Sequence, residues 1–262
     1  MPFPERPASI GRAEGGTADM TSESSSGSAR SSGQDTAADS LMIELYHVNK
    51  RYAGGQLALA DVSFKIERGS FTFITGPSGS GKTTLLKLIY RELFPTEGQI
   101  IIDRRNIIRI PDHKIYQLRR SMGIVFQDFR LLFHQKVFDN VAITLKILGI
   151  PAKDIRRKVF YALRMVGLHH KMWEYPSRLS YGEQQRVAIA RAVVNSPQII
   201  LADEPTGNLD YQLAFEIMNL FKQINGQGAT VVICTHDREL IRYFGDRVLF
   251  LYRGRMLRKE RL

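Results

Sequence analysis

Eight consecutive residues, Gly76-Pro77-Ser78-Gly79-Ser80-Gly81-Lys82-Thr83, have the types and spacing of a loop that cradles phosphates. Glycines, lacking a Cβ, let backbone N–H groups converge on an anion. Lys82 offers a point charge to β/γ-phosphates, and Thr83 offers a hydroxyl to Mg²⁺. The apolar run Phe71–Thr75 reads as a strand before the loop, and Thr84 to Leu93 reads as a helix after it. Bound phosphates, with Thr84 among their neighbours, then lie at a helix N-terminus, where the macrodipole favours anions.

A second group lies about a hundred residues on. The segment Leu179-Ser180-Tyr181-Gly182-Glu183-Gln184-Gln185-Arg186 leads into a helical pattern over Val187–Val194. Ser180 and Glu183 are spaced as a capping box, and by itself this is only a well-capped helix. The apolar run Ile199–Ala202 follows and ends in Asp203 and Glu204. Ligand chemistry in α/β sheets sits at the C-terminal ends of buried strands. There Asp203 suits Mg²⁺, and Glu204 suits orienting or deprotonating an attacking water. The plain alternative is a solvated acidic turn before Pro205.

In this order, the loop, the helix start and the acidic strand resemble ABC-type ATPase nucleotide-binding domains over about residues 43–262. The resemblance implies an α/β fold: a P-loop NTPase (RecA-like) core with an antiparallel β subdomain and a helical subdomain inserted at about 129–179. It implies ATP and Mg²⁺ as cofactors, with Thr83, Gln127 and Asp203 around the metal. Tyr52 is similar to the residue that stacks on adenine, and His236 to the one that meets the γ-phosphate. Lys82, Gln127, Glu204 and His236 form the implied catalytic set. Ser180, Gly182, Glu183, Gln184 and the loop Asn208-Leu209-Asp210 are implied to act on the nucleotide of a second copy, so a homodimer in ATP follows. A lone tyrosine or histidine is more often packing or surface; order and spacing carry these assignments. Tyr181 departs from the family pattern, which has glycine there, and implies reduced but real hydrolysis.

The stretches Asp128–Phe133, Val137–Ile143, Asp154–Val159 and Asp203–Asp210 resemble the bacterial cell-division members of that family. This implies an integral membrane subunit resembling FtsX, docked in a groove after Gln127, and a peripheral place on the cytoplasmic face of the inner membrane. The output would be control of septal peptidoglycan hydrolases, with no solute carried. Lipoprotein-releasing and macrolide-type exporters share Asp203–Asp210 closely and are the alternative. A nucleotide-dependent scaffold with little turnover, and an ATPase acting on DNA or ribosomes, are alternatives of other classes.

Composition bounds these readings. The chain has 262 residues and a formal net charge of +11. Its first 40 residues hold nine Ser, five Gly, six Ala and three Thr, too little apolar surface to offset ordering entropy. A disordered tail is therefore expected over 1–41, with the ATP-binding domain over 42–262; a start at Met42 is the other reading. The tail carries three basic and six acidic residues, which leaves the remainder at about +14. That charge suits an anionic membrane surface, and the basic run Arg253–Arg261 either faces headgroups or is a solvated hairpin. No basic stripe interleaved with aromatics points to nucleic acid. No apolar run approaches 18 residues. The single cysteine, Cys234, sits in an apolar strand and reads as packing. His169-His170 reads as a surface pair.

Strands are expected at Ile43–Val48, Ala60–Ile66, Phe71–Thr75, Gly98–Ile102 and Ala229–Thr235, with a hairpin over Arg247–Leu257 turning at Arg253-Gly254. Helices are expected at Val137–Leu148, Asp154–Val166 and Gln212–Ile224.

Overall fold

The computed structural model describes residues 40–260. The expected tail lies, up to residue 39, outside them.

Among the described residues, ten strands form two sheets. They are β1 (Leu41–Arg51), β2 (Leu57–Glu67), β3 (Phe71–Thr75), β4 (Glu97–Ile102), β5 (Arg105–Asn106), β6 (Met122–Val125), β7 (Ile199–Asp203), β8 (Thr230–Cys234), β9 (Arg247–Tyr252) and β10 (Arg255–Glu260). The helices are α1 (Lys82–Ile89), α2 (Ile115–Arg119), α3 (Val137–Ile147), α4 (Ala152–Met165), α5 (Tyr181–Val193), α6 (Tyr211–Gly226) and α7 (Arg238–Phe244).

The larger sheet has the order β10-β9-β3-β8-β7-β6. From β9 to β6 its pairs are parallel, and β10 returns antiparallel on β9. Its inner strands are apolar almost throughout, as parallel strands covered on both faces must be. Alternate residues serve different cores. Ile200 and Ala202 of β7, with Val231 and Ile233 of β8, face one cluster that includes Val187, Ile217 and Phe221. Ile199 and Leu201, with Val232 and Cys234, face the other, which holds Leu85, Ile89, Ile43 and Ile100. One face of the sheet thus carries α5 and α6. The other carries α1 and the antiparallel sheet β2-β1-β4-β5.

Helices α3 and α4 lie in the stretch between β6 and α5, and their apolar residues Val141, Leu145, Val159 and Leu163 join the first cluster. The hairpin turn at Arg253-Gly254 joins β9 to β10 as expected.

The helix expected over 84–93 ends instead at Ile89. Arg91 adopts φ 57° and turns inward, where its guanidinium donates to Ile110 O and Asp112 Oδ1, both at 3.0 Å, and stacks 4.0 Å over the Phe94 ring. Those tertiary partners outweigh the helical pattern. Helix α5 begins at Tyr181, directly after its Ser180 cap, as the capping-box spacing implies. Elements α2, β5 and α7 were not expected.

Candidate functional site

The chain leaves β3 at Thr75 and turns at Gly76, whose φ is 155°. A Cβ there would lie 1.9 Å from Leu251 O of β9. At Gly81, φ 108°, it would lie 2.8 Å from Ala58 O of β2. The loop is therefore wedged between two strands at the ends where only glycine fits. Gly81 caps α1 with no side-chain bond, which leaves first-turn N–H groups for the loop's own concavity. Lys82 is buried; its Nζ donates to Gly76 O at 2.8 Å and to Pro77 O at 3.3 Å.

The acidic pair arrives from β7. Register pairs Asp203 with Cys234 of β8, and Glu204 N donates to Cys234 O at 2.9 Å. Glu204 then takes φ 44°, a left-handed conformation that costs a residue with a Cβ roughly 1–2 kcal/mol. The turn aims its carboxylate at the loop. Oε1 lies 3.5 Å from Lys82 Nζ, and both oxygens lie 3.0–3.1 Å from His236 Nδ1. Glu204 is 12% exposed in its side chain and His236 68%, so the carboxylate is sheltered and the imidazole is its open side.

Asp203 is different. Burial pushes its carboxyl above the usual value and the Glu204 charge adds to this, while the Thr83 hydroxyl and Lys82 oppose them. Its Oδ1 is buried without a hydrogen-bond partner. An orphaned carboxylate oxygen beside the Thr83 hydroxyl is a hard-oxygen donor set, and it fits a divalent cation such as Mg²⁺. Burial also raises the Cys234 thiol well above its usual value, so that residue is packing, as expected.

Lys82, Thr83, Glu204 and His236 border a cleft of about 610 Å³, whose lining includes neither Gly76 nor Asp203. Pro77 to Thr84 form its floor, and Tyr52, Gln127, Glu204 and His236 its walls. Tyr52 is half exposed and meets Thr84, hydroxyl to hydroxyl, at 3.1 Å. The cleft also contains Gln56, Leu57 and Arg253, which the sequence reading did not assign to it. Arg253 had been read with the basic C-terminal run. Its turn instead folds over the loop, where Gly254 N donates to Ser80 O at 3.0 Å and Ala60 N to Gly254 O at 2.8 Å. Only the turn dipeptide was visible in the sequence; its docking onto a loop some 170 residues earlier was not.

The pattern described as ABC transporter matches residues 59–207. The chain is 44% identical over 219 residues to the cell division ATP-binding protein FtsE of Bacillus subtilis, across 84% of this chain and 96% of that one. It is 48% identical over 215 residues to the FtsE of Escherichia coli strain K12, across 82% and 97%. The chain belongs to the ABC transporter family. Among solved structures this ABC cassette is similar to the dimeric structure of MJ0796, a bacterial ABC transporter cassette: TM-score 0.78, 40% identity, 84% of this chain and 99% of that one. It is likewise similar to MJ0796 in a post-hydrolysis state bound to ADP and Pi, with TM-score 0.78, 39% identity and the same coverage. As a member of that family it is an ATPase that binds ATP and ADP.

The remaining assigned residues of this ABC cassette lie outside the cleft. Ser180 Oγ accepts from Glu183 N at 3.3 Å and Glu183 Oε2 from Ser180 N at 3.1 Å, the expected capping box. Against burial, which raises it, Lys171 and the Ser180 N–H hold the Glu183 carboxyl below its usual value. Gln184 donates to Pro176 O and Leu179 O, both at 3.1 Å. A Cβ on Gly182 would lie 2.2 Å from Leu213 Cδ2, so glycine lets α5 pack closely on the Leu213 side chain of α6. Asp210 caps α6 by accepting from Leu213 N. None of these residues lines the phosphate-loop cleft of its own chain.

Proposed function

We propose that this cassette is the ATP-hydrolysing motor of a bacterial cell-division complex, working as a homodimer on a membrane subunit resembling FtsX. The observation that carries the reading is the meeting of Lys82, Glu204 and His236 at one end of the sheet, over a phosphate loop. Lys82 leaves its carbonyl partners for β/γ-phosphate oxygens, a stronger charge-assisted bond. Glu204 orients and deprotonates the attacking water, with His236 holding its carboxylate on the open side. Tyr52 supports the base. Thr83, Asp203 and Gln127 would hold Mg²⁺, which when bound neutralises charge on the phosphates.

Ser180, Gly182, Glu183, Gln184 and Asp210, outside the cleft of their own chain, complete the site of a second copy, and the dimeric relative supports this. Residues 42–262 form the working domain, with 129–179 as its helical subdomain. Between the two, a groove of about 630 Å³ lined by Tyr116, Phe126, Arg130, Ile147 and Leu148 would receive a cytoplasmic helix of the membrane subunit. Among the described residues no helix is long and apolar enough to cross a membrane, which leaves membrane attachment to that subunit.

The test is Glu204→Gln. Turnover falls by about 10²–10⁴-fold while ATP binding persists, and the protein accumulates as dimer in ATP. A monomer by light scattering in ATP overturns the dimer. Membranes captured on the trapped variant and read by mass spectrometry yield a division-type membrane subunit; a lipoprotein or drug permease would reassign the output to transport.

A further inference from the structure

Tyr181 occupies the first helical position of α5, between the capping Ser180 and the packed Gly182. It is needed for neither task. Its side chain is partly exposed, and it reaches two segments, one following Glu204 and one following Gln127, both of which residues line the cleft.

The first is the turn after Glu204. Asn208 Nδ2 donates to Tyr181 Oη at 2.7 Å. Gln185, one turn along α5 and buried, donates to Pro205 O at 2.7 Å. The turn is closed by its own bonds from Gly207 N to Glu204 O and from Leu209 N to Thr206 O, at 3.2 and 3.1 Å. Helix α5 therefore grips it at both ends. The second segment follows Gln127. The Tyr181 ring lies 4.5 Å, centroid to centroid, from the buried ring of Phe129. Phe129 and Arg130 are both left-handed, φ 57° and 49°, a conformation that must be held by its surroundings. Arg191, near the end of α5, supplies the rest of that hold by donating to Phe129 O and Arg130 O.

We propose that Tyr181 is a positioning residue that latches the turn carrying Glu204 and the segment carrying Gln127 to the start of α5. In a dimer that helix start faces the partner's nucleotide. The latch then makes the geometry of a chain's own Glu204 and Gln127 follow occupancy of the other site. The inference rests on the ATPase and dimer reading above.

The test uses the full chain, comparing wild type with Tyr181→Phe, Asn208→Ala and the double variant. Tyr181→Phe keeps the ring on Phe129 and removes only the hydroxyl. One neutral hydrogen bond is worth about five-fold in rate. Tyr181→Phe therefore lowers kcat about five-fold, leaves KM within about two-fold, and flattens the dependence of rate on ATP cooperativity. Asn208→Ala does the same, and the double variant is no slower than the worse single, because both remove one bond. For Tyr181→Phe, melting temperature and binding of a non-hydrolysable ATP analogue stay at wild-type values. Multiplicative losses in the double variant, a Tyr181→Phe enzyme equal to wild type, or a loss tracking melting temperature alone would each overturn the latch. A wild type without turnover overturns the ATPase reading and the latch together, whereas the first three outcomes leave that reading standing.

Discussion

Around the phosphate loop, glycines 76 and 81 press on backbone carbonyls of Leu251 and Ala58. At the start of α5, Gly182 presses on the end of a leucine side chain. The charged groups differ in the same sense. Lys82 is buried and Glu204 mostly so, and they face each other at 3.5 Å. Ser180, Glu183 and Asp210 spend their polar atoms on local caps beside open solvent. The loop side is a built site, its phosphate loop, Lys82 and Glu204 held together within one chain and intolerant of change. The α5 side is a presented surface with its helix end shaped by local caps, and its use by a second copy is our proposal.

Glycine substitutions break this comparison most directly. Gly76→Ala must displace β9 backbone and adopt an unfavourable φ, so it costs about 3 kcal/mol in denaturant melts and abolishes ATP binding. Gly182→Ala displaces only Leu213 Cδ2 and costs about 1 kcal/mol or less, with nucleotide binding intact. Equal costs at the two positions would mean that both faces are equally built. Next in size, Ser180→Ala removes half of the capping box and costs about 1 kcal/mol. It weakens the ATP-dependent dimer in light scattering while a labelled ATP analogue still binds the monomer; weakened monomer binding would show that the two faces are not separable.

The smallest effect sharpens the loop side by pH. Asp203 has a folded pKa raised by burial, so ionising it costs folding stability that is absent below the unfolded value near 3.8 and fully present above the raised one. Asp203→Asn, without metal, is therefore more stable than wild type at neutral pH, and the difference closes as pH falls through the raised pKa. A gap that is constant with pH would mean that Asp203 is not held against its charge. With Mg²⁺ present, the order at neutral pH reverses if Asp203 is a metal ligand.

Legibility of the sequence followed the range of the interactions. The loop, the capping box, the two carboxylates and the Arg253-Gly254 turn each fit within a few residues, so their side chains and backbone needs are written side by side. Strands of the inner sheet were visible because burial on both faces demands continuous apolar runs. Element α7 was missed although Asp237 caps it by accepting from Glu239 N and Leu240 N; seven residues give too little periodicity to register. The early end of α1 was missed because the cause, Arg91 turning toward Ile110 and Asp112, lies about twenty residues away.

By itself the sequence determined the chemistry on offer: a phosphate cradle, a metal-suited hydroxyl and carboxylate, an adjacent glutamate and a capped helix start. Each depends on neighbours in the chain. Only the tertiary structure decided that the ends of β3, β8 and β7 lie side by side, so that Lys82, His236 and Glu204 share one cleft. It alone placed Arg253 in that cleft and Tyr181 between Asn208 and Phe129. Strand order is set by how whole faces bury against α1, α5 and α6, a cooperative choice among distant segments that no local spacing records.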